Sequence, residues 1–351
     1  MINKKTTPIL SIAIPTFNRS YFLKLNLGQL KNEIKSCPYG TIELLVSDNA
    51  SEDDTQFTVE YFQNSGMSIN YIKNDENIGS DANIAQCFNM AKGQYVLILG
   101  DDDLLVDGAL VSIVKHLKNQ QYGVVFLKSY GYDNDFRKES PEKLGGGYKV
   151  YNDSDKFLEK VAHYITLISG CILNKEVLEN INATQFCGSN LVQVDLALSA
   201  ALRVRKNLFI SSYSVACKRN NSGGYDFTSV FVVNFFNILD SYKTKGLGVS
   251  AINNIENYMI ISFFPHYLLK HRRNSNKSMR NEFNIFNERF GNKLLFKIYL
   301  MPILLWPRFM AIAWGWLAVL IARIYKGDFY RGVKFLTEKS RSCLFENKVK
   351  F

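Results

Sequence analysis

Three consecutive carboxylates, Asp101, Asp102 and Asp103, follow the apolar run Tyr95-Val96-Leu97-Ile98-Leu99 and one glycine, Gly100. Adjacent like charges repel, so an acidic triplet at a strand end has little structural use. Aimed into a cleft, it suits a hard divalent cation carrying a diphosphate. An acidic turn or a helix N-cap draws on the same residue type, so the neighbouring segments must decide between the two.

Upstream, Ser11-Ile12-Ala13-Ile14-Pro15-Thr16-Phe17-Asn18-Arg19 ends a strand in a sharp turn. Pro15 stops the strand, and the polar residues after it are free to contact a ligand. Ser47-Asp48-Asn49-Ala50-Ser51 ends a second strand, with Asp48 at its tip as an acceptor for a nucleobase. Asp53 and Asp54 read as helix caps rather than binding groups. Asn77-Ile78-Gly79 reads as a turn before a helix. Further on, Lys218-Arg219-Asn220-Asn221-Ser222-Gly223-Gly224 is a basic, glycine-bearing loop. Lys218 and Arg219 are expected to fold over a diphosphate there, since Arg suits bidentate phosphate contacts.

The elements that must position these groups alternate. Short apolar runs at 9–14, 42–47, 68–72, 95–99 and 123–127 read as buried strands, and 20–35, 53–63, 81–91 and 107–119 have helical spacing. Such alternation predicts an α/β fold with a mostly parallel sheet flanked by helices, and ligands bind such sheets at the carboxyl ends of the strands. The clusters at 15–19, 48–54 and 101–103 then converge if their strands are neighbours. A polar stretch at 133–147 reads as a loop. Beyond it, 165–174 reads as a strand, 191–203 as a helix and 208–217 as a strand, and from Phe227 the pattern stays helical. The expected organisation is a first half over 1–110, a second half over 111–230 and a helical region over 231–351.

The chain has 351 residues and a net charge of +10. Residues 231–351 hold 19 Lys and Arg against 7 Asp and Glu, a net of +12, whereas the first 230 residues net −2. The basic character therefore belongs to the last third, which points to an anionic surface as partner. Six Cys are scattered without CxxC or metal-site spacing and read as buried, reduced thiols of a cytosolic protein, and the four His form no zinc or triad pattern. The polar N-terminus lacks a signal-peptide core, so export is not expected.

In order along the chain, the Ile14–Arg19 motif, Ser47-Asp48-Asn49-Ala50-Ser51, Asn77-Ile78-Gly79-Ser80-Asp81-Ala82-Asn83 and Gly100-Asp101-Asp102-Asp103 resemble the family 2 glycosyltransferases of the GT-A (Rossmann-like) fold. The resemblance covers about residues 9–110 and is closest to the abequosyltransferase-like O-antigen sugar transferases. It implies a nucleoside-diphosphate-sugar donor, Mn²⁺ or Mg²⁺ as cofactor, a saccharide acceptor, and inversion at the anomeric carbon of the transferred sugar. Pro15, Thr16, Phe17, Arg19, Asp48, Asn77 and Gly79 would line the nucleotide site. Asp101 and Asp102 would correspond to the DXD motif, Asp101 facing the ribose and Asp102 holding the metal, with Asp103 supporting. The common family form has Asp where this chain has Gly100. The family also places a catalytic Asp, often after Glu, at a helix start in the second half. The match here is Asp195, the sole acid between Glu179 and Asp226, with Val194 in the Glu position. Its apolar helix is expected to raise its pKa toward that of a working base. His163 is the weaker rival, and Tyr164 and 169–171 are candidates for the acceptor pocket.

The apolar stretch 298–322 holds all three Trp (306, 314 and 316) and is broken by Pro302, Pro307 and Arg308. Its uncharged part, 309–322, is shorter than the ~20 residues of a spanning helix. With Arg323, Lys326, Arg331, Lys334, Lys339 and Arg341 following, it reads as a surface attachment to an anionic leaflet. A peripheral place on the inner face of the plasma membrane, with a polyprenyl-lipid-linked acceptor, follows as the expectation. No nucleic-acid partner is expected. A nucleotidyltransferase is the alternative enzyme, but it would carry a Gly-rich basic loop where this chain has 15–19. A non-catalytic nucleotide- or glycan-binding protein of the same fold is the other alternative.

Overall fold

The computed structural model describes residues 7–141, 147–221, 224–274 and 279–325. Gly145 and Gly146 of the predicted loop, Ser222 and Gly223 of the basic loop, the N-terminal residues 1–6, Cys343, and Lys326, Arg331, Lys334, Lys339 and Arg341 lie outside the described residues. The chain forms two compact units, residues 1–251 and 252–351. The first runs past the boundary expected at 231, and the halves expected at 1–110 and 111–230 share one sheet within it.

The first unit opens with strict alternation: β1 (Leu10–Thr16), α1 (Ser20–Lys35), β2 (Ile42–Asp48), α2 (Thr55–Asn64), β3 (Asn70–Lys73), α3 (Ser80–Met90) and β4 (Tyr95–Ile98). It continues with β5 (Leu104–Leu105), α4 (Ala109–Asn119), β6 (Val124–Tyr132), β7 (Tyr148–Tyr151), α5 (Ser154–Val161), β8 (Cys171–Asn174), α6 (Val192–Arg203), β9 (Asn207–Lys218) and α7 (Phe235–Ser241). The sheet runs β3-β2-β1-β4-β8-β6-β9-β5, with β7 on β9. β3, β2, β1 and β4 are parallel, as the alternation predicts. Where the alternation fails, antiparallel contacts enter. β8 runs against both β4 and β6, and β5 and β7 run against β9.

The predicted strand at 165–174 is two short 3₁₀ turns, Ala162–Thr166 and Ile168–Gly170, followed by β8. Its hydroxyls take partners in place of a ladder, Thr166 within its own turn and Ser169 on the acidic turn. Thr166 Oγ1 donates to the His163 carbonyl (2.7 Å) and Ser169 Oγ to Asp103 (2.5 Å).

Period two along β1 sends Leu10, Ile12 and Ile14 to one face. There they join Leu23, Leu27 and Leu30 of α1, Val59 and Phe62 of α2, and Leu110, Ile113 and Leu117 of α4 in one core. Each such side chain contributes about 1.5–3 kcal/mol by leaving water. Gly123, just before β6, is there because nothing larger fits. A Cβ would stand 2.3 Å from the Ala200 carbonyl oxygen and 2.9 Å from Asn207 Oδ1. Gly123→Ala is therefore expected to cost about 3 kcal/mol, read as a lower urea midpoint; an unchanged midpoint would contradict the close packing of α6 on β6.

The second unit is helical. α8 (Val249–Ser262) crosses into it and is followed by α9 (Phe264–Asn274), α10 (Arg280–Phe290), α11 (Leu294–Tyr299), α12 (Met301–Leu305) and α13 (Arg308–Tyr325). Its core is aromatic: Phe264, Phe286, Phe290 and Phe296 are fully buried, with Phe264 edge-on to Phe286 at 5.0 Å. Arg272 donates to the carbonyls of Ile303, Leu304 and Trp306, closing the end of α12. α13 packs through small residues, Ala311, Gly315, Ala318 and Ala322 being buried, and a Cβ on Gly315 would meet Leu269 at 3.0 Å.

Candidate active site

β2, β1 and β4 are neighbours, so the three polar clusters at their carboxyl ends meet. The turn after β1 is stitched to the turn after β2. Asn49 N–H donates to the Thr16 carbonyl, Asn18 N–H to Ser51 Oγ and Glu52 N–H to Asn18 Oδ1. Asp53 caps two helix starts, accepting from Ser20 N–H and Thr55 N–H.

The acidic turn is held from below. Asn26 of α1 donates to the carbonyls of Gly100 (3.1 Å) and Asp103 (2.6 Å). Gly100 N–H donates to Ser169 Oγ (2.9 Å), and that hydroxyl donates to Asp103 Oδ2. Asp103 is thereby buried as a support for the turn, and Asp101 is equally buried. Gly100 has a local reason: a Cβ there would lie 3.2 and 3.3 Å from the carboxylates of Asp102 and Asp103.

From the end of β1, Thr16 Oγ1 donates to Asp101 Oδ2 (2.8 Å). Arg19 Nη1 reaches Asp101 Oδ1 (3.0 Å) and Asp102 Oδ2 (3.3 Å). Burial pushes Asp101 up to about 6; Arg19 opposes this and Asp102 adds repulsion. Burial and then the Asp102 charge push Asp103 up to about 7. The turn thus concentrates negative charge that a cation would relieve.

Among the described residues no group of three or more His, Cys, Asp or Glu is placed to hold a metal by itself. Asp102 is the most exposed carboxylate of the turn, its side chain 16% accessible against 5% for Asp101. One carboxylate with the remaining positions filled by substrate phosphates is the usual arrangement for Mg²⁺, so the residues fit that kind of site.

Asp48 lies beside this cluster, fully buried, accepting from Ser51 N–H (2.8 Å) and the Tyr71 hydroxyl (2.6 Å). Asn77 Oδ1 accepts from Asn49 and from Gly79 N–H. Gly79, at φ +86°, opens α3 in a conformation that favours glycine. Pro15 is half-buried and Phe17 exposed at the rim. All ten residues expected on the donor side, from 15 to 103, therefore gather at one edge.

Lys218 and Arg219 are corrected. Their side chains turn to the loop after β6, Lys218 to the Asp133 carbonyl and Arg219 to Asp133 (2.6 Å) and Glu139 (3.2 Å). Among the described residues, the loop side chain on the acidic turn is that of Asn221, which sequence reasoning passed over. Its amide donates to Asp102 Oδ2 (2.7 Å) and its carbonyl accepts from Arg19 Nη2 (2.5 Å). A polar Asn beside two cations carries no signal of its own.

Asp195 sits in the first turn of α6, 8% exposed. It makes no hydrogen bond or ion pair with the acidic turn. The link runs through Gln193, which donates to the Thr166 carbonyl (2.7 Å), and through the turns that carry Ser169. Burial pushes the Asp195 carboxyl up to about 6, opposed by the Tyr242 hydroxyl and Lys245. His163 is buried against Tyr164 with ring centroids 4.1 Å apart.

The family model described as glycosyl transferase family 2 matches residues 11–181, which include the whole acidic turn and the donor-side cluster. Residues 11–181 belong to glycosyl transferase family 2. The family 2 region is 34% identical over 113 residues to abequosyltransferase RfbV of Salmonella typhimurium, covering 32% of this chain and 33% of that protein. It is 33% identical over 120 residues to GalNAc(5)-diNAcBac-PP-undecaprenol beta-1,3-glucosyltransferase of Campylobacter jejuni, covering 34% of this chain and 37% of that protein. The chain thus matches little more than a third of the length of these relatives. In fold, it is similar to S. aureus TarS 1–349 in complex with UDP-GlcNAc, with a TM-score of 0.61, 14% identity, and 92% and 93% of the two chains covered. It also resembles mannosyltransferase PcManGT from Pyrobaculum calidifontis in complex with GDP-Man and Mn²⁺, with a TM-score of 0.51, 14% identity, and 92% and 88% covered. These likenesses establish the GT-A-like fold.

Proposed function

We propose that this chain is a glycosyltransferase that moves a sugar from a nucleoside-diphosphate sugar to a hydroxyl of a saccharide acceptor, with inversion. The observation that carries the reading is the bonding of Thr16 and Arg19, at the end of β1, to Asp101 and Asp102, after β4. In this proposal the nucleoside lies along Pro15, Thr16, Phe17, Asp48, Asn77 and Gly79, and Asp101 faces the ribose. Asp102 holds Mn²⁺ or Mg²⁺, and Asp103 keeps the turn rigid. When bound, the cation neutralises the diphosphate and stabilises it as a leaving group. Asp195 takes the proton from the acceptor hydroxyl as that oxygen attacks the anomeric carbon. Calorimetric titration with UDP, GDP, CDP and dTDP in the presence of Mn²⁺ tests the donor site. One tight, metal-dependent nucleotide supports it, and no binding by any of the four removes it.

The acceptor is proposed to be polyprenyl-lipid-linked, in the assembly of a bacterial surface polysaccharide such as O-antigen or capsule. Two observations support this. The Campylobacter relative's name specifies an undecaprenol-linked substrate. α13 presents large apolar residues outward, Phe309 at 75%, Leu317 at 45%, Leu320 at 40% and Ile324 at 58% exposure, and buries its small ones. A helix facing water shows the reverse pattern. By length and composition α13 is able to cross a membrane, with a mean hydropathy of 1.4. Its flanking charge favours a peripheral place on the cytoplasmic leaflet. The protein is expected to co-sediment with phosphatidylglycerol vesicles, and Phe309→Glu with Leu320→Glu to abolish this without altering nucleotide affinity. Equal sedimentation of the variant would remove α13 from the attachment.

A further inference from the structure

The Asp102 oxygen expected to meet a cation is already engaged twice. Oδ2 accepts from Arg19 Nη1 at 3.3 Å and from the Asn221 amide at 2.7 Å. Arg19 Nη2 in turn donates to the Asn221 carbonyl at 2.5 Å, so Arg19, Asn221 and Asp102 close a ring. The same Nη1 also donates to Asp101 Oδ1 at 3.0 Å, so one nitrogen bridges the two carboxylates. The guanidinium thus engages the oxygen through which Asp102 would hold a divalent cation.

We propose that Arg19 is the resident counter-ion of the acidic turn and yields its place to the divalent cation, so that metal enters only together with a diphosphate. A cation arriving alone meets a fixed positive charge and must send Arg19 into water for the sake of one carboxylate. A cation arriving with a diphosphate brings the guanidinium a new partner. Phosphate oxygens accept the same two-pronged donation that carboxylates do. The Arg19 side chain is 32% exposed, which leaves it free to turn from carboxylate to phosphate. Arg19 therefore couples the two ligands, and by linkage each tightens the other. The inference rests on the metal-assisted reading of the turn.

The test is Mn²⁺ binding measured by electron paramagnetic resonance, with no sugar donor and no turnover. Mn²⁺ is titrated alone and with inorganic pyrophosphate, a diphosphate without a base, into the full chain and into Arg19→Met and Arg19→Lys. In the unaltered protein, Mn²⁺ alone binds weakly and pyrophosphate tightens it by about tenfold or more. In Arg19→Met, Mn²⁺ alone binds about tenfold more tightly and the effect of pyrophosphate shrinks. Arg19→Lys keeps the charge and continues to exclude Mn²⁺. Arg19→Gln replaces Arg19→Met if the latter is not folded by circular dichroism. An affinity for Mn²⁺ alone that is the same with and without Arg19 overturns the exchange. That result is distinct from failure of the donor reading, in which the unaltered protein binds no nucleoside diphosphate with Mn²⁺ at all.

Discussion

Asp195→Asn is expected to lower transfer by about 10²–10⁴-fold, the usual contribution of a positioned base, while nucleotide affinity stays unchanged. Single-turnover transfer and calorimetry on the same preparation read the two effects. Transfer in the unaltered protein is expected to fall below pH 6, because burial sets the Asp195 carboxyl at about 6 and the base works only when ionised. The same burial predicts a gain in stability for the variant. The folded state holds the Asp195 proton more tightly than the unfolded chain does. Ionisation at neutral pH therefore disfavours folding, and the asparagine variant escapes that cost of about 2–3 kcal/mol. The gap is present above pH 6 and narrows as pH falls toward 4, where the carboxyl is protonated in the folded state and increasingly so in the unfolded one. Urea unfolding at pH 7 and pH 4.5 measures it. Unchanged transfer would remove Asp195 from the chemistry and bring His163 forward.

Asp102→Ala is expected to abolish metal-dependent nucleotide binding and reduce transfer by at least about 10³-fold, since charge on the leaving diphosphate loses its stabilisation. The fold is expected to survive the change. Asp102 is the outermost carboxylate of the turn, while the bonds that hold the turn run through Asn26, Ser169 and Asp103. Circular dichroism and the urea midpoint check this alongside calorimetry with Mn²⁺ and the four nucleoside diphosphates. Retained Mn²⁺-dependent binding in the variant would move the metal from Asp102 to another carboxylate.

The donor side was legible because each of its parts is local. Pro15 ends a strand, Asp53 caps the helix that follows it, and three Asp follow an apolar run; all of these depend on residues within a few positions. The segment from 162 to 170 was not legible as turns. Its apolar residues alternate like those of a strand, and only the contacts of Thr166 and Ser169 explain why it folds under the acidic turn. Lys218 and Arg219 were misplaced for a related reason. Composition gave their charge, but their direction depends on Asp133 and Glu139, about 80 residues upstream.

By itself, the sequence determined the alternation of strands and helices, the chemistry gathered at three strand ends, and the family 2 character of residues 11–181. These are short-range properties, set by side-chain period and turn chemistry. The tertiary structure alone decided the strand order that brings 15–19, 48–54 and 101–103 together. It also decided that Arg19 and Asn221, some 200 residues apart, close over Asp102, and that α13 turns its large residues outward. Such contacts reflect which buried faces find one another in space, and no local spacing encodes that.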